Sequence, residues 1–386
     1  MTTALALARA GFRAVICEQA GRLEQAGAGI QLSPNATHIL AGLGLADRVV
    51  ARGIAPEALR VRTARGRQIV RMPLGQTAAS RYGAPYLVVH RADLQSVLLE
   101  EVRAHPDVLL KLGARVEAFA VHANGVTAEC KTGAGSADEH GIALVAADGL
   151  WSTLRSQLGD LRPPRFAERT AWRATVPAAD LAAELREPVV SLWLGRHAHL
   201  VHYPVSAGST VNIVAIVRDH WRETGWSAAG AREEIAARFA RWAPAARKLI
   251  AAPGQWQKWA LYDRPPLRVW GDGPVTLLGD AAHPMLPFLA QGAASAVEDA
   301  HVLAQCLRAQ PDEPAQAFRR YEGLRRRRTR RLQREAARNR FIYAQWGVGG
   351  FLRNTGLRLM GGKGLLRRYD WIYDWRCDLP FPPASD

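Results

Sequence analysis

The chain is predicted to be α/β, a three-layer arrangement of strands and helices interrupted by a mostly antiparallel second sheet and finished by helices; three observations predict it. Two apolar strands, residues 142–147 and 275–278, each end in an acidic residue beside a glycine, Asp148-Gly149 and Gly279-Asp280. Between them lie four pieces rich in β-branched and aromatic residues, separated by turn-forming stretches. From Pro311 onward the pattern becomes helical and arginine-rich.

Taken in order, residues 1–10 read as a helix stopped by Gly11, and residues 13–17 as a short strand that ends at Glu18. This is the second half of a strand–helix–strand unit. In a dinucleotide-binding unit the acid that holds the ribose lies about 20 residues beyond the glycine-rich phosphate loop. Glu18 takes the place of that acid, which puts the first strand and the loop before Met1. The two explanations are a start assigned too far downstream and a real truncation. A real loss orphans backbone groups on two neighbouring strands at about 1–3 kcal/mol each, against a domain stability of about 5–15 kcal/mol. The expectation is that the literal chain binds its dinucleotide or folds poorly and that an upstream-extended form is active.

Residues 27–36 form a glycine-marked loop leading into a helix, with Ser33 or Asn35 near the cap and Pro34 in the first turn. Residues 87–90 read as a strand followed by a helix start, with Asp93 in its first turn. The strand that ends at Asp148-Gly149 is followed by Arg155 at helical spacing. Residues 173–177, 189–194, 199–204 and 210–217 are the strands of the second sheet. Side chains alternate along a strand, so His199, Val201 and Tyr203 share one face and Leu200 and His202 the other.

The strand at 275–278 is apolar throughout, as expected of one covered on both faces, and ends where the Asp280 carboxylate can accept hydrogen bonds from ligand hydroxyls. Gln291-Gly292-Ala293-Ala294 then opens an alanine-rich helix without bulk in its first turn. Its free N–H groups can approach an anionic or carbonyl oxygen. In the helix across 319–340 the arginines surround a thin apolar stripe with Tyr321, Leu324 and Leu332, the pattern of a solvated face. The aromatic tail at 369–375 reads as packing. There is no internal repeat, heptad run or low-complexity linker.

A length of 386 residues favours two or three domains, and 48% hydrophobic with 22% charged residues is ordinary for a soluble protein. No apolar stretch approaches the roughly 18 residues needed to span a bilayer, and the N-terminus lacks the pattern of a signal peptide. The cytoplasm is the expected location. Cys17, Cys130, Cys306 and Cys377 are scattered and lack metal-ligand spacing, so they are expected to be reduced and structural, with no metal. The net charge of +16 raises the question of nucleic acid, but no stacking platform or recognition module accompanies the arginine-rich helix. The field suits steering of anionic substrates and nicotinamide phosphates instead.

The stretch from Val275 to Ala300, with Asp148-Gly149 in the same order and separation, resembles the class A, single-component FAD-dependent aromatic hydroxylases, the salicylate hydroxylase-like group. The resemblance runs from Met1 to about Trp375. One departure is Ala290 where the family has the first glycine of Gly-Gln-Gly. The resemblance implies an FAD/NAD(P)-binding Rossmann-like domain in three parts, residues 1–60, 86–160 and 266–310. It adds substrate-domain strands at 61–85, a substrate-binding sheet domain at 161–265 and a C-terminal helical region at 311–386. It implies FAD held by Glu18, Gln31, Arg91, Asp148, Gly149, Arg155, Gly279, Asp280, Pro287, Gly292 and Ala293, with Asp148, Gly149 and Arg155 organising the pyrophosphate and the passage of the nicotinamide nucleotide.

NADH or NADPH is implied as a transient co-substrate, with oxygen activated as a flavin C4a-hydroperoxide. His199 and Tyr203 are implied as pocket residues, either of which could accept or relay a phenolic proton if its pKa lies near the working pH. The expected substrate is a hydroxylated aromatic carboxylate of the salicylate, hydroxybenzoate or hydroxynicotinate type. Hydroxylation of a purine or another electron-rich heterocycle, and a non-catalytic flavin-less remnant, are the alternatives. A monomer or homodimer is expected.

Overall fold

A computed structural model of the protein describes residues 1–23, 28–133, 135–221 and 227–377. Helix α1 (Thr2–Arg9) buries Ala4, Leu5 and Ala8 and passes through Gly11, at φ +91°, into β1 (Ala14–Glu18). The left-handed φ explains the glycine. After β2 (Gly29–Leu32), helix α2 (Pro34–Gly42) starts on Pro34, whose missing N–H is not needed in a first turn. Helix α3 (Ala46–Arg52) follows, and β3 (Ala58–Thr63) and β4 (Gln68–Pro73) leave for a second sheet. Helix α4 (Gly75–Tyr82), β5 (Leu87–His90), α5 (Arg91–Ala104) and β6 (Val108–Leu112) bring the chain back. An antiparallel meander of β7 (Arg115–His122), β8 (Gly125–Thr132) and β9 (Gly135–Gly141) precedes β10 (Leu144–Ala146) and α6 (Thr153–Gln157).

The second domain is built on β11 (Arg165–Pro177), β12 (Val189–Gly195), β13 (Ala198–Val205), β14 (Thr210–Arg218), β15 (Ala228–Gly230) and β16 (Trp256–Asp263), with α7 (Arg232–Phe239) and α8 (Pro244–Ala251) between the last two strands. These strands join β3 and β4 in one eight-stranded sheet of order β15-β16-β11-β14-β13-β12-β3-β4. All its neighbours are antiparallel except β12 and β3. One face carries Trp172, Ala174, Leu200, Ile213 and Ala215 into a core with Phe239 and Leu249 of α7 and α8. The opposite face is left for the site.

Strands β17 (Gly271–Asp272) and β18 (Val275–Leu277) return to the first domain, where β18 pairs in parallel with β10. Strand β1 pairs in parallel with β6, and these two ladders share no described strand. Helix α9 (Gly292–Ala309) is buried along almost its whole length against α1, α2 and α10 (Pro314–Ala344). Helices α11 (Gly347–Arg368) and α12 (Asp370–Tyr373) close the chain over β4 and α2.

The arginine-rich helix departs from the expected solvated face. Tyr321 and Leu332 are fully buried, but Leu324 is 50% exposed and Arg325 is 0% exposed. The reason is a pair of carboxylates on α9, Glu298 and Asp299, which take Arg325 inside. The aromatic tail does pack: Tyr373 meets Tyr82 and Tyr86 edge-on, and Trp375 lies under the guanidinium groups of Arg325 and Arg328. Cys17 and Cys130, distant in sequence, are both free, and the Cys130 thiol donates to the Cys17 sulfur at 3.7 Å.

Candidate active site

A cavity of about 780 Å³ opens between the first domain and the free face of the large sheet. Asp280, Pro284, Met285, Pro287 and Arg91 line one side, and Arg173, Trp259 and Tyr262 of β11 and β16 line the other. Asp280 lines this space as an exposed residue, and partial desolvation by the surrounding protein raises the pKa of its carboxyl, with His283 and Arg91 opposing. Helix α9 begins beside it: Gly292 is its first residue, no side chain caps it, and a Cβ on Gly292 would find Asp280 only at 3.9 Å. The first turn therefore keeps open N–H groups next to a carboxylate, a donor and acceptor set suited to a flavin's carbonyl and ribityl hydroxyls. Glu18 ends β1 with its carboxylate accepting a 2.8 Å hydrogen bond from the Ala20 N–H, which fixes it at a strand end as a ribose acceptor requires. The residues fit FAD.

The turn that presents Asp280 is held from below. Gly279, at φ +60°, donates its N–H to Asp299 (3.1 Å), and His283 Nε2 lies 2.5 Å from the same carboxylate oxygen. Arg325 Nε donates to the other oxygen at 2.6 Å and its Nη1 lies 2.6 Å from Glu298. Burial alone raises the pKa of Asp299, but His283 and Arg325 overcome it and hold the carboxyl at about 2. Glu298 also takes Arg328 (2.7 Å) and Asn35 (2.5 Å), and Asn35 reaches Gln291, which donates to Ser33 (2.9 Å). One network thus ties the loop before α2, the start of α9 and helix α10.

Arg155 has a different place from the one expected. It is 1% exposed and donates to Asp160 (2.7 Å) and to the carbonyls of Ala281 and Ala282 (2.9 and 3.2 Å). It braces the Asp280 turn from inside and is not among the described residues that line the cavity. Asp148 is exposed and accepts the Leu154 N–H (3.2 Å), and Gly149 at φ +78° makes the turn into α6. Pro287 shapes the turn before α9, and Ala290, the departure from glycine, adopts φ +52°, a left-handed conformation that costs a non-glycine residue roughly 1–2 kcal/mol. Ala293 follows Gly292 in the first turn of α9. Of the loop at 27–36, Gly27 lies outside the described residues.

On the sheet, cross-strand register sets out three rows. Ala171, Ile216 and His199 form one, Arg173, Val214 and Val201 the next, and Thr175, Asn212 and Tyr203 the third. Tyr203 hydrogen-bonds Gln31, which also accepts from Tyr86 (2.6 Å). Gly29 donates its N–H to Asn212 (2.6 Å), and a Cβ there would stand 2.6 Å from the Tyr203 ring and 2.7 Å from Asn212. Gly29→Ala is therefore expected to destabilise by about 1–3 kcal/mol through overpacking. Urea denaturation checks this; a loss below about 0.5 kcal/mol contradicts the packing.

His199 and Tyr203 share a face, as alternation requires, but neither is among the described residues that line the cavity. His199 packs against Phe288 and Tyr343, with ring centroids 5.4 Å away in each case. Burial, and then Arg169, pushes it down to about 3, while burial raises Tyr203 above the ordinary tyrosine range. The expectation is a base titrating near neutrality; enclosure shifts both rings away from it in this structure, His199 down and Tyr203 up. His202, on the other face, accepts from Trp193 Nε1 (3.2 Å) and is also pushed to about 3, by burial and then by Arg62 and Arg60.

A buried neutral histidine makes stability depend on acid. The unfolded chain protonates near pH 6.5 and the folded one near 3, so stability falls as pH drops through that window. His202→Phe should narrow the stability difference between pH 7 and pH 4.5 by on the order of 2–3 kcal/mol. Urea unfolding at the two pH values reads it; an unchanged difference refutes the assignment.

Sequence reasoning missed Arg173, Trp259 and Tyr262 as cavity residues and Tyr343 as the cover of His199. Arg173 and Trp259 follow from alternation once the register of β11 and β16 is known, whereas Tyr262 lies beyond the register shift of β11 and Tyr343 arrives from a distant helix with no local signal.

Residues 1–336 match the FAD binding domain family. The chain is 39% identical over 376 residues to the 3-amino-4-hydroxybenzoate 2-monooxygenase PtnB3 of Streptomyces platensis, covering 97% of this chain and 92% of that one. It is 34% identical over 379 residues to the 3-hydroxybenzoate 6-hydroxylase of Klebsiella oxytoca, covering 97% and 94%. Among solved structures, a salicylate hydroxylase substrate complex superposes with a TM-score of 0.79 at 26% identity over 97% of this chain and 92% of that one. Klebsiella pneumoniae HpxO complexed with FAD and uric acid gives 0.82 at 27% identity over 95% and 92%. The matched family, the near full-length relatives and the geometry around Asp280 agree: this chain belongs to the FAD-dependent class A flavoprotein hydroxylases.

Proposed function

We propose that the protein hydroxylates a hydroxylated aromatic carboxylate, of the salicylate or hydroxybenzoate type, using NADH or NADPH and dioxygen. The reaction converts a ring C–H to C–OH, reduces the second oxygen atom to water and oxidises the nicotinamide. Bound FAD supplies the redox chemistry, taking electrons from the nicotinamide and activating oxygen. The observation that carries the reading is a single cavity with the Asp280 turn and Arg91 on one wall and the cationic and aromatic sheet face on the other.

In this reading Asp280 holds ribityl hydroxyls, Glu18 the ribose, and the start of α9 stabilises negative charge on the flavin ring. Pro284, Pro287 and the sheet exclude water from the ring. His199 and Tyr203, both held uncharged near neutrality, serve as hydrogen-bonding and packing groups. The phenolate that an electrophilic oxygen needs is favoured by the positive charges of Arg91 and Arg173 on the cavity wall. The small aromatic acid and oxygen are the partners, as a monomer or homodimer, in the cytoplasm where nicotinamide nucleotides are supplied. Among the described residues no helix is long and apolar enough to cross a membrane.

A second reading, hydroxylation of a purine or related heterocycle, is favoured by the likeness to the uric acid complex of HpxO. The test is product analysis with FAD and each nicotinamide nucleotide on salicylate, 3-hydroxybenzoate, 6-hydroxynicotinate and urate. Turnover of an aromatic acid to a hydroxylated product supports the first reading; turnover of urate alone replaces it with the second.

A further inference from the structure

We infer that helix α11 docks the protein on an anionic lipid bilayer, with an exposed apolar stripe set into the hydrocarbon boundary and the neighbouring cations on the lipid phosphates.

The stripe is the first observation. Val348, Leu352 and Leu359 recur at helical spacing on one side of α11, with Phe351 beside them, and all four are 63% to 84% exposed. Trp346, at the start of the helix, and Phe341, just before it, are more than half exposed as well. Gly361, at φ +67°, breaks the helix, so the straight run 347–360 is about 20 Å long. Single exposed apolar side chains are ordinary, whereas several on one side of one helix mark a contact surface.

The helix does its own packing with the opposite side. Gly350 is buried, Leu357 packs against the core formed with Tyr82 and Leu332, and Arg353 donates to the carbonyls of Ile342, Tyr343 and Gln345 at 3.1–3.2 Å. Beyond the break, Leu365 and Leu366 are buried, and a Cβ on Gly362 would run into the Arg71 carbonyl of β4. The helix is thus seated on the protein while its apolar stripe faces outward along the surface.

Charge decides what the stripe meets. Residues 336–369 hold seven Lys and Arg and no Asp or Glu. Arg358 stands two turns past Phe351 on the same side of the helix, and Lys363, Arg367 and Arg368 are exposed beyond the break. Arg358 and Lys363 make no ion pair among the described residues. A second copy set on this face by a two-fold axis would bring like charges together. An anionic bilayer meets both features: the stripe enters the boundary of the acyl chains, and the cations lie at the phosphates. Long basic side chains rest their stems on the apolar surface while their heads reach the phosphates, and a tryptophan at a helix end suits headgroup depth.

The test is flotation of the FAD-loaded protein with vesicles of phosphatidylcholine alone and with about one phosphatidylglycerol in three lipids. The expected result is partitioning onto the anionic vesicles about tenfold or more above the neutral ones. The double variant Leu352→Ser/Leu359→Ser, which keeps every charge, should lose about tenfold or more of that partitioning. Arg358→Gln/Lys363→Gln should lose about tenfold on anionic vesicles. Leu324→Ser, at an exposed leucine of α10 outside the stripe, should stay within about twofold of wild type. Unchanged FAD affinity shows that each variant is folded, since all the substituted side chains lie at the surface. Equal binding by the leucine variant and wild type would assign the attraction to the net charge of +16 alone and overturn the docking helix. Absence of wild-type binding to anionic vesicles would overturn it too. So would a dimer, seen by sedimentation velocity, that dissociates in the leucine variant, because the stripe then belongs to a second copy.

Discussion

Replacing Arg325 by methionine is expected to destabilise the protein by about 3–5 kcal/mol, the usual effect of removing one partner from a buried ion pair. Arg325 is 0% exposed and sits between Glu298 and Asp299, which are themselves fully buried. Among the described residues, Asp299 then keeps only His283 and the Gly279 N–H, and Glu298 keeps Arg328 and Asn35. The loss is a large share of a domain stability of about 5–15 kcal/mol. Arg327→Met, two positions along on the exposed side of the same helix, should change stability by less than about 0.5 kcal/mol. Urea denaturation of both variants separates them. Similar small effects would mean that the arginine-rich helix is the solvated face its composition suggests.

The second large effect is on the cofactor. Asp280→Ala should weaken FAD binding by about 10- to 150-fold, because hydrogen bonds to a charged group contribute about 1.5–3 kcal/mol. Asp280→Asn should lie between, since the amide keeps one acceptor and loses the charge. The readout is quenching of flavin fluorescence during titration. The Asp280 turn is braced by Arg155, His283 and Asp299 whatever stands at position 280, so the variant should unfold at close to the wild-type temperature. Unchanged FAD affinity would move the ribityl contact elsewhere in the cavity.

How legible these features were in the sequence depended on how local their causes are. The strand that ends at Gly279-Asp280, the open first turn of α9 and the proline start of α2 are written in consecutive residues, and the structure has each of them. The shared face of His199 and Tyr203 followed from alternation alone. What was not legible required register or charge pairing between distant elements. Arg155 reads as a ligand-binding arginine until Asp160 and the carbonyls of Ala281 and Ala282 are seen to occupy it. Arg325 is one of a run of four arginines, and only the carboxylates of α9 distinguish it. The lowered pKa of His199 has no local signal, because its enclosure comes from Phe288 and Tyr343, which lie far along the chain. Arg173 opens a strand legible in the sequence, but its contact with Trp259 depends on the pairing of β11 with β16.

The proposed activity requires an FAD site and an aromatic-acid pocket joined in one cavity, and its most direct test follows the oxygen. FAD-saturated protein is given NADH and an aromatic hydroxy acid under isotopically labelled dioxygen, and the products are examined by mass spectrometry. The predicted result is a new ring hydroxyl carrying one labelled oxygen, formed in step with NADH oxidation. NADH oxidation that delivers all the oxygen as hydrogen peroxide, with every aromatic acid recovered unlabelled, would contradict it.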